Sequence, residues 1–485
     1  MRGKLILRLL IFLLGLITLT MTIPLMLAVA YGEKEMFPAF GIPLGGTLIL
    51  ALFRLLLTRK QRVLFSRTDG LLLVFLAWVL TGILGGLPYY LSGHIPRFAD
   101  AVFESVSGFT TTGVSVMADV EGLPRSLLLW RGMTHWFGGM GIVILTVALL
   151  PLLGAGDHLN TSSFFQAEST GPEKDKITPK ITETAKILWL LYIGLTLLLI
   201  PLLMIGGMDW LDAVIHSFAT IASGGFSTRN NSIAGYQSPW IDWVCIVFMF
   251  LAGFNFSVLY RLLQGKYQDL LYNSETKAYG GIVLVSVGII ALAILPETGS
   301  PERALRYASF EAVSIVSSTG FAATDHTLWP PLAQGILFFL MFIGGCSGST
   351  AGGVKVIRHV VLFKQMKNEI RKLLYPKGVF SIRLHKKVGR KDVVYGVAGF
   401  VFLYLALVFG AALLIGTSGL DLFSSINLSL LALGNIGLGL GKTGPGFVFS
   451  GFPAYINWGL CFIMIAGRLE LWAALFFFSR DYWRR

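Results

Sequence analysis

Four short phrases recur along this chain, each built around a glycine. They read Thr110-Thr111-Thr112-Gly113-Val114-Ser115, Ala222-Ser223-Gly224-Gly225-Phe226-Ser227, Ser317-Ser318-Thr319-Gly320-Phe321-Ala322 and Gly434-Asn435-Ile436-Gly437-Leu438-Gly439. Each follows a short apolar segment and precedes a long one, and the glycines stand about 95 to 117 residues apart. A phrase repeated at such an interval predicts four copies of one structural unit in a single chain. The residues ahead of the glycine agree as well. Asp100-Ala101-Val102 matches Asp212-Ala213-Val214, and Phe103-Glu104 matches Phe310-Glu311, at the same offsets. The fourth copy is the most divergent.

Composition decides the setting. Of 485 residues, 54% are hydrophobic and only 13% charged, with a mean hydropathy of +0.72. That is too little charge to cover a soluble protein of this size. Apolar runs long enough to cross about 30 Å of hydrocarbon recur throughout, so the chain reads as an all-α, polytopic membrane protein. A formal net charge of +13 fits cytoplasmic loops rich in Lys and Arg and does not call for a nucleic acid partner. Cys245, Cys346 and Cys461 lie in apolar or Gly-rich segments without CxxC spacing, which suggests packing, not a disulfide or a metal site. Near the N-terminus, Ala28-Val29-Ala30 resembles a peptidase site, but the apolar run before it is longer than a signal peptide needs. It is expected to remain as the first helix.

The first two apolar segments, 5–30 and 38–57, form a predicted hairpin. The pattern is then long, short, long, four times over: 70–91, 100–111 and 128–152; 185–205, 211–223 and 240–263; 279–296, 305–318 and 332–366; 393–416, 421–435 and 453–479. Domain boundaries follow at 1–67 for the hairpin and 68–160, 161–272, 273–391 and 392–485 for the four units. At about 1.5 Å per residue, a dozen residues cannot cross the bilayer. The short segments are expected to be re-entrant, with protein or water covering their backbone. Basic residues place the cytoplasmic side. They occur in 59–67 (Arg59, Lys60, Arg62, Arg67), in 364–391 and at Arg480, Arg484 and Arg485. The N- and C-termini are then cytoplasmic, and the short segments enter from outside. Asp100, Glu104, Asp119, Glu121, Asp212, Glu311 and Asp325 fall on that outer side and predict a mildly negative mouth.

A dehydrated cation needs several oxygens, which backbone carbonyls can supply, and glycine permits the dihedrals that aim them at one axis. The candidate filter residues are Thr111, Thr112 and Gly113, Ser223, Gly224 and Gly225, Ser318, Thr319 and Gly320, and Asn435, Ile436 and Gly437. A lone glycine in a membrane helix would mean close packing; four in matching context favour a filter. The second long segments carry glycines near their middles: Gly138-Gly139-Met140-Gly141, Gly253, Gly344-Gly345 and Gly467. In the third, Gly344-Gly345-Cys346-Ser347-Gly348-Ser349-Thr350-Ala351-Gly352-Gly353 has five glycines in ten residues. At about 1 kcal/mol of helix propensity each, it is expected to unwind inside the protein as a gate, with close packing as the alternative. It lacks the Gly-Lys-Ser/Thr ending of a Walker A loop. Arg468 sits within an apolar span, where Arg faces a cavity or a partner. It is a candidate barrier to cations, a candidate partner of Glu470, or both. Lys355 either adds to the barrier or reaches cytoplasmic water. His135 and His216 suggest packing rather than a proton relay. Trp210, Trp240, Trp243 and Trp329 suggest interface anchors. No nucleophile triad, HExxH or paired-carboxylate pattern points to an enzyme.

Taken together, the four phrases, Gly138-Gly139-Met140-Gly141, Ala167-Glu168-Ser169-Thr170-Gly171-Pro172, the Gly-rich run at 344–353 and Gly467-Arg468 resemble the Trk/Ktr/HKT superfamily of potassium transporters over nearly the whole chain. The two helices ahead of the first unit suit its TrkH branch. The resemblance implies four channel-like units around one pore, with potassium held at Gly113, Gly225, Gly320 and Gly437. It also implies a gating loop from Gly345 to Gly353 and a pore-constricting Arg468. It further implies a homodimer with one pore per subunit in the cytoplasmic (inner) membrane. A cytoplasmic TrkA-type regulatory subunit, and not this chain, would bind the nucleotide; no organic cofactor is expected here. The fourth phrase departs from the family, which commonly has Pro where this chain has Leu438, so that loop's shape stays open. The competing class is a proton- or sodium-coupled secondary transporter with a midplane substrate site.

Overall fold

The computed structural model describes residues 2–57, 67–141, 181–384, 387–388 and 391–475. The basic residues Arg59, Lys60, Arg62, Lys386, Arg390, Arg480, Arg484 and Arg485, the 167–172 motif and the end of the segment expected at 128–152 lie outside the described residues. Among the described residues the fold is helical, apart from a two-residue antiparallel ladder pairing Arg383–Leu384 with Lys387–Val388.

The hairpin is helical over Arg2–Thr20, Thr22–Tyr31 and Met36–Leu57, turning at Gly32 (φ 73°). The Thr18 and Thr47 hydroxyls meet at 2.6 Å across it. Its acidic turn has a structural task. Glu33 accepts the backbone N–H groups of Arg125 at 2.7 Å and Ser126 at 3.2 Å. These are orphan donors at the start of Arg125–Gly139, whose own N-cap residue is Pro124.

Four times thereafter a long helix leads to a short one, a glycine turn and another helix. The long helices are Arg67–Leu91, Ile181–Ile205, Ser274–Thr298 and Lys391–Gly416. Among the described residues, five helices are long and apolar enough to cross a membrane, or six if the bent pair Pro239–Ala252 and Phe256–Leu263 is one span. The short helices Phe98–Phe109, Trp210–Ala222, Pro301–Val316 and Leu422–Gly434 have exposed starts and are buried over most of the rest of their length. Local chemistry sets their starts: Pro301 occupies the first turn, and Asp421 caps the last through Ser424 N–H.

Of the helices that follow, the first, second and fourth differ from the expectation of continuous spans, and the third is broken at the Gly-rich run as expected. Arg125–Gly139 ends at Met140, and Gly141 is left-handed (φ 77°). Pro239–Ala252 gives way to Phe256–Leu263 with a bend of 104°. Pro331–Leu340 and Val356–Leu374 flank a non-helical stretch. Ala454–Arg468 stops before Glu470 (φ 56°) and Leu471 (φ 61°). The physical reason is close approach to the short helices. A Cβ on Gly138 would stand 1.8 Å from Phe109 O, and one on Gly467 2.1 Å from Leu433 O. Glycines that permit such contact also lower helix propensity at the same point.

Candidate ion pathway

Each short helix ends in the same backbone turn. Thr111, Ser223, Ser318 and Asn435 are left-handed, at φ 55°, 57°, 54° and 51°, and two residues later Gly113, Gly225, Gly320 and Gly437 follow at 82°, 85°, 81° and 77°. Leu438 therefore leaves the fourth turn unchanged, and its side chain is buried. Inside each turn, N–H groups fold back onto the helix. Thr112 donates to Ser107 O at 2.9 Å, Gly224 to Ala219 O at 2.8 Å, Thr319 to Ser314 O at 2.8 Å and Ile436 to Leu431 O at 3.1 Å.

The four turns close a ring. A Cβ on Gly113 would meet Gly224 O at 2.1 Å; on Gly225, Thr319 O at 2.3 Å; on Gly320, Ile436 O at 2.1 Å; and on Gly437, Thr112 O at 2.4 Å. Each glycine thus lies against the carbonyl preceding the next glycine, in chain order, and the last returns to the first. All four glycines line one cavity of about 350 Å³. The sequence-selected residues flanking them are brought together here, with Thr111, Thr112, Ser223, Thr319 and Asn435 fully buried.

Several acidic residues of the expected mildly negative mouth are held by partners. Asp325 lines the cavity beside Arg131 and Arg229. Glu104 is buried and paired with Arg131 at 2.8 Å, Asp212 accepts the Tyr236 hydroxyl at 2.6 Å, and Asn457 donates to Asp100 at 2.8 Å. Asp119 takes Asn230 Nδ2 at 3.0 Å, and that bond holds its carboxyl below the usual range. Carboxylates this close to apolar core are held by partners because an unpaired charge is costly there.

Sequence reasoning missed what several of these groups do. Each short helix sends one polar side chain to the outer limb of its own turn. Glu104 accepts Val116 N–H at 2.9 Å. His216 Nε2 meets Ser227 Oγ at 2.9 Å. Glu311 accepts Ala323 N–H at 2.9 Å. Asn427 accepts Leu440 N–H at 3.2 Å. The recurrence of Glu104 and Glu311 was visible in the sequence, but His216 and Asn427 share only the task. His135 is a packed side chain: its Nδ1 bonds Gly108 O at 2.7 Å, so Nε2 accepts Phe226 N–H at 3.1 Å, and the ring joins the first two turns.

Below the ring sits the Gly-rich stretch, unwound as expected. Gly352 N–H donates to Ser318 Oγ at 2.6 Å, and Thr350 Oγ1 meets Ser223 Oγ at 2.9 Å. The loop also fills the break in the preceding inner helix, where Cys346 N–H donates to Gly253 O at 2.8 Å and Phe256 N–H to Gly348 O at 3.2 Å. Glu275, which the sequence did not single out, accepts Ser347 N–H at 2.6 Å and Ile357 N–H at 3.2 Å, at the two ends of the loop. Gly345, Ser349, Ala351 and Gly353 complete it. Lys355 is buried, with its ammonium on Ala351 O, which sets aside the reading that it reaches cytoplasmic water. Arg468 reaches two other units. It donates to Thr350 O at 2.8 Å, Gly138 O at 2.7 Å and Gly139 O at 2.8 Å. Glu470 pairs with Arg358.

A family model described as TrkH, a cation transport protein, matches residues 45–279 and 299–484. The chain belongs to the TrkH family. It is 35% identical to the Trk system potassium uptake protein TrkH of Halomonas elongata over 99% of both chains. It is 37% identical to the protein of that name in Escherichia coli K12 over 88% of each. The crystal structure of the potassium transporter TrkH from Vibrio parahaemolyticus superposes with a TM-score of 0.88 at 33% identity, covering 100% of both chains. TrkH membership and the apolar helices together make this a multi-pass membrane transporter.

Proposed function

We propose that this chain takes up potassium through the axis of the four glycine turns, as the names of its relatives suggest. The closed ring of glycines and carbonyls carries the reading. Its units are 68–160, 161–272, 273–391 and 392–485, and the carbonyls of 111–113, 223–225, 318–320 and 435–437 replace the ion's water. The short helices point their negative ends at the same place. Inward flow of one charge gains about 2.3 kcal/mol per 100 mV of inside-negative potential, so uptake requires no bond chemistry in this chain.

Below the ring, the loop from Gly345 to Gly353 and the guanidinium of Arg468 oppose passage. The loop occludes the path, and the fixed positive charge lowers cation occupancy. In this reading the protein is a homodimer in the cytoplasmic membrane with both termini inside. A TrkA-type nucleotide-binding subunit shifts the loop from the cytoplasmic side.

Rubidium uptake into proteoliposomes tests the path. Gly113→Ala and Gly437→Ala place a methyl on a neighbouring carbonyl and should abolish most uptake, with monodispersity reporting the fold. Wild-type rates in both variants would remove the ring from the pathway.

A further inference from the structure

We propose that Glu311 and His326 form one proton-holding clamp that positions the outer limbs of the third and fourth glycine turns. The inference rests on the ion path proposed above and deepens it.

His326 lies in the short 3-10 helix His326–Leu328 of the outer loop and is fully buried. Its Nε2 stands 2.8 Å from Gly439 O, two residues beyond Gly437. A carbonyl only accepts, so Nε2 carries a hydrogen. Its Nδ1 faces Glu311 Oε2 at 3.4 Å. In a neutral ring with Nε2 protonated, Nδ1 is an acceptor, and it would confront a carboxylate oxygen. Among the described residues neither atom has another hydrogen-bond partner. Two buried acceptors are tolerated face to face only with a proton between them. The other oxygen of Glu311 holds Ala323 N–H at 2.9 Å, three residues beyond Gly320. One proton therefore links the two turns.

The charged groups acting on His326 are Glu311 and, more weakly, Asp325. Burial, the largest single influence, pulls its pKa down, but Glu311 together with Gly439 O and Asp325 holds it above the usual imidazole value. Trp329, expected at the membrane interface, packs its ring edge-on at 6.2 Å and closes the site. The other turns have no comparable dependence. Glu104 is matched by Arg131, whose charge is permanent. His216 meets a carbonyl and a hydroxyl, and Asn427 is neutral.

The test reads rubidium-over-sodium selectivity of the full-length protein against external pH, from about 6 to about 10. Wild type should lose selectivity severalfold as the proton leaves. Glu311→Gln supplies an N–H to Nδ1 of the neutral ring, so its profile should be flat. His326→Gln, a second variant without the titrating ring, should also be flat. A flat wild-type profile, or variants that follow the wild-type slope, would overturn the clamp. Total rubidium uptake at pH 6 tests the path separately. Melting temperature in detergent supplies a readout independent of transport. The raised pKa makes the clamp's contribution complete below the ordinary imidazole value of about 6.5 and lost as pH climbs through the raised value. Wild type should therefore lose more melting temperature than Glu311→Gln on the alkaline side; equal losses would count against the clamp.

Discussion

Arg468 Nη1 donates to the carbonyl oxygen of Thr350 at 2.8 Å, which ties the last inner helix to the Gly-rich loop of the third. The same guanidinium holds Gly138 O and Gly139 O at the end of the first inner helix. Three elements far apart in sequence thus meet at one side chain. In the proposed path Arg468 has two effects, a fixed charge and a tether.

The two effects separate by substitution. Arg468→Ala removes both and should raise resting rubidium leak at least about tenfold. A charge-assisted hydrogen bond contributes about 1.5–3 kcal/mol, and 1.4 kcal/mol is about tenfold in an equilibrium. Arg468→Lys keeps the charge, but an ammonium lacks the planar fork, so its leak should be intermediate. Leak at or below wild type in a well-folded Arg468→Ala protein would exclude the barrier.

Ser318 tests the loop's seat more gently. Ser318→Ala leaves the buried Gly352 N–H without its acceptor, at a cost of about 1–3 kcal/mol. Since that cost falls on the seated loop, uptake in the resting state should rise. Single-channel or flux records showing unaltered closed times would reduce the contact to packing.

The Glu104–Arg131 pair should govern folding. Both side chains are buried, and Arg131 also donates to Ser227 O at 3.0 Å. Removing one partner of a buried pair typically costs about 3–5 kcal/mol. Arg131→Met should lower the melting temperature in detergent markedly, while the double variant Glu104→Gln/Arg131→Met recovers part of the loss. A double variant no more stable than the single would contradict this account.

Asp421 sets an acid limit at the exposed start of Leu422–Gly434. The Ser424 N–H, with help from the Ser424 hydroxyl and Lys442, lowers its pKa to about 2. A depressed carboxylate stabilises above its unfolded pKa and ceases to do so as pH falls through the folded value. Wild type should therefore lose this contribution below about pH 4, progressively toward pH 2. Asp421→Asn should show a shallower acid limb in thermal melts; identical limbs would mean the cap is not coupled to folding.

The local sequence determined a good deal. Helices long enough to span, short helices that cannot, and glycines placed at turns all follow from hydrophobic runs and backbone sterics. The unwinding at 344–353 was equally legible, because five glycines in ten residues cannot hold a helix. The other three breaks were not, since a single Gly253 or Gly467 becomes a break only when another segment, through the Tyr279 hydroxyl or the Leu433 carbonyl, occupies the space of its Cβ.

The pairing of side chains was decided by tertiary structure alone. Glu470 pairs with Arg358, far away in sequence, and Arg468 donates to carbonyls of two other segments. Of the acidic residues that read as a mildly negative mouth, Asp100, Glu104 and Glu311 became buried struts, because charge near the core is stable only beside a partner, while Asp119, Glu121 and Asp325 stay exposed. Sequence specifies each turn by its own dihedrals, and four such turns can close a ring only when packing brings the first against the last.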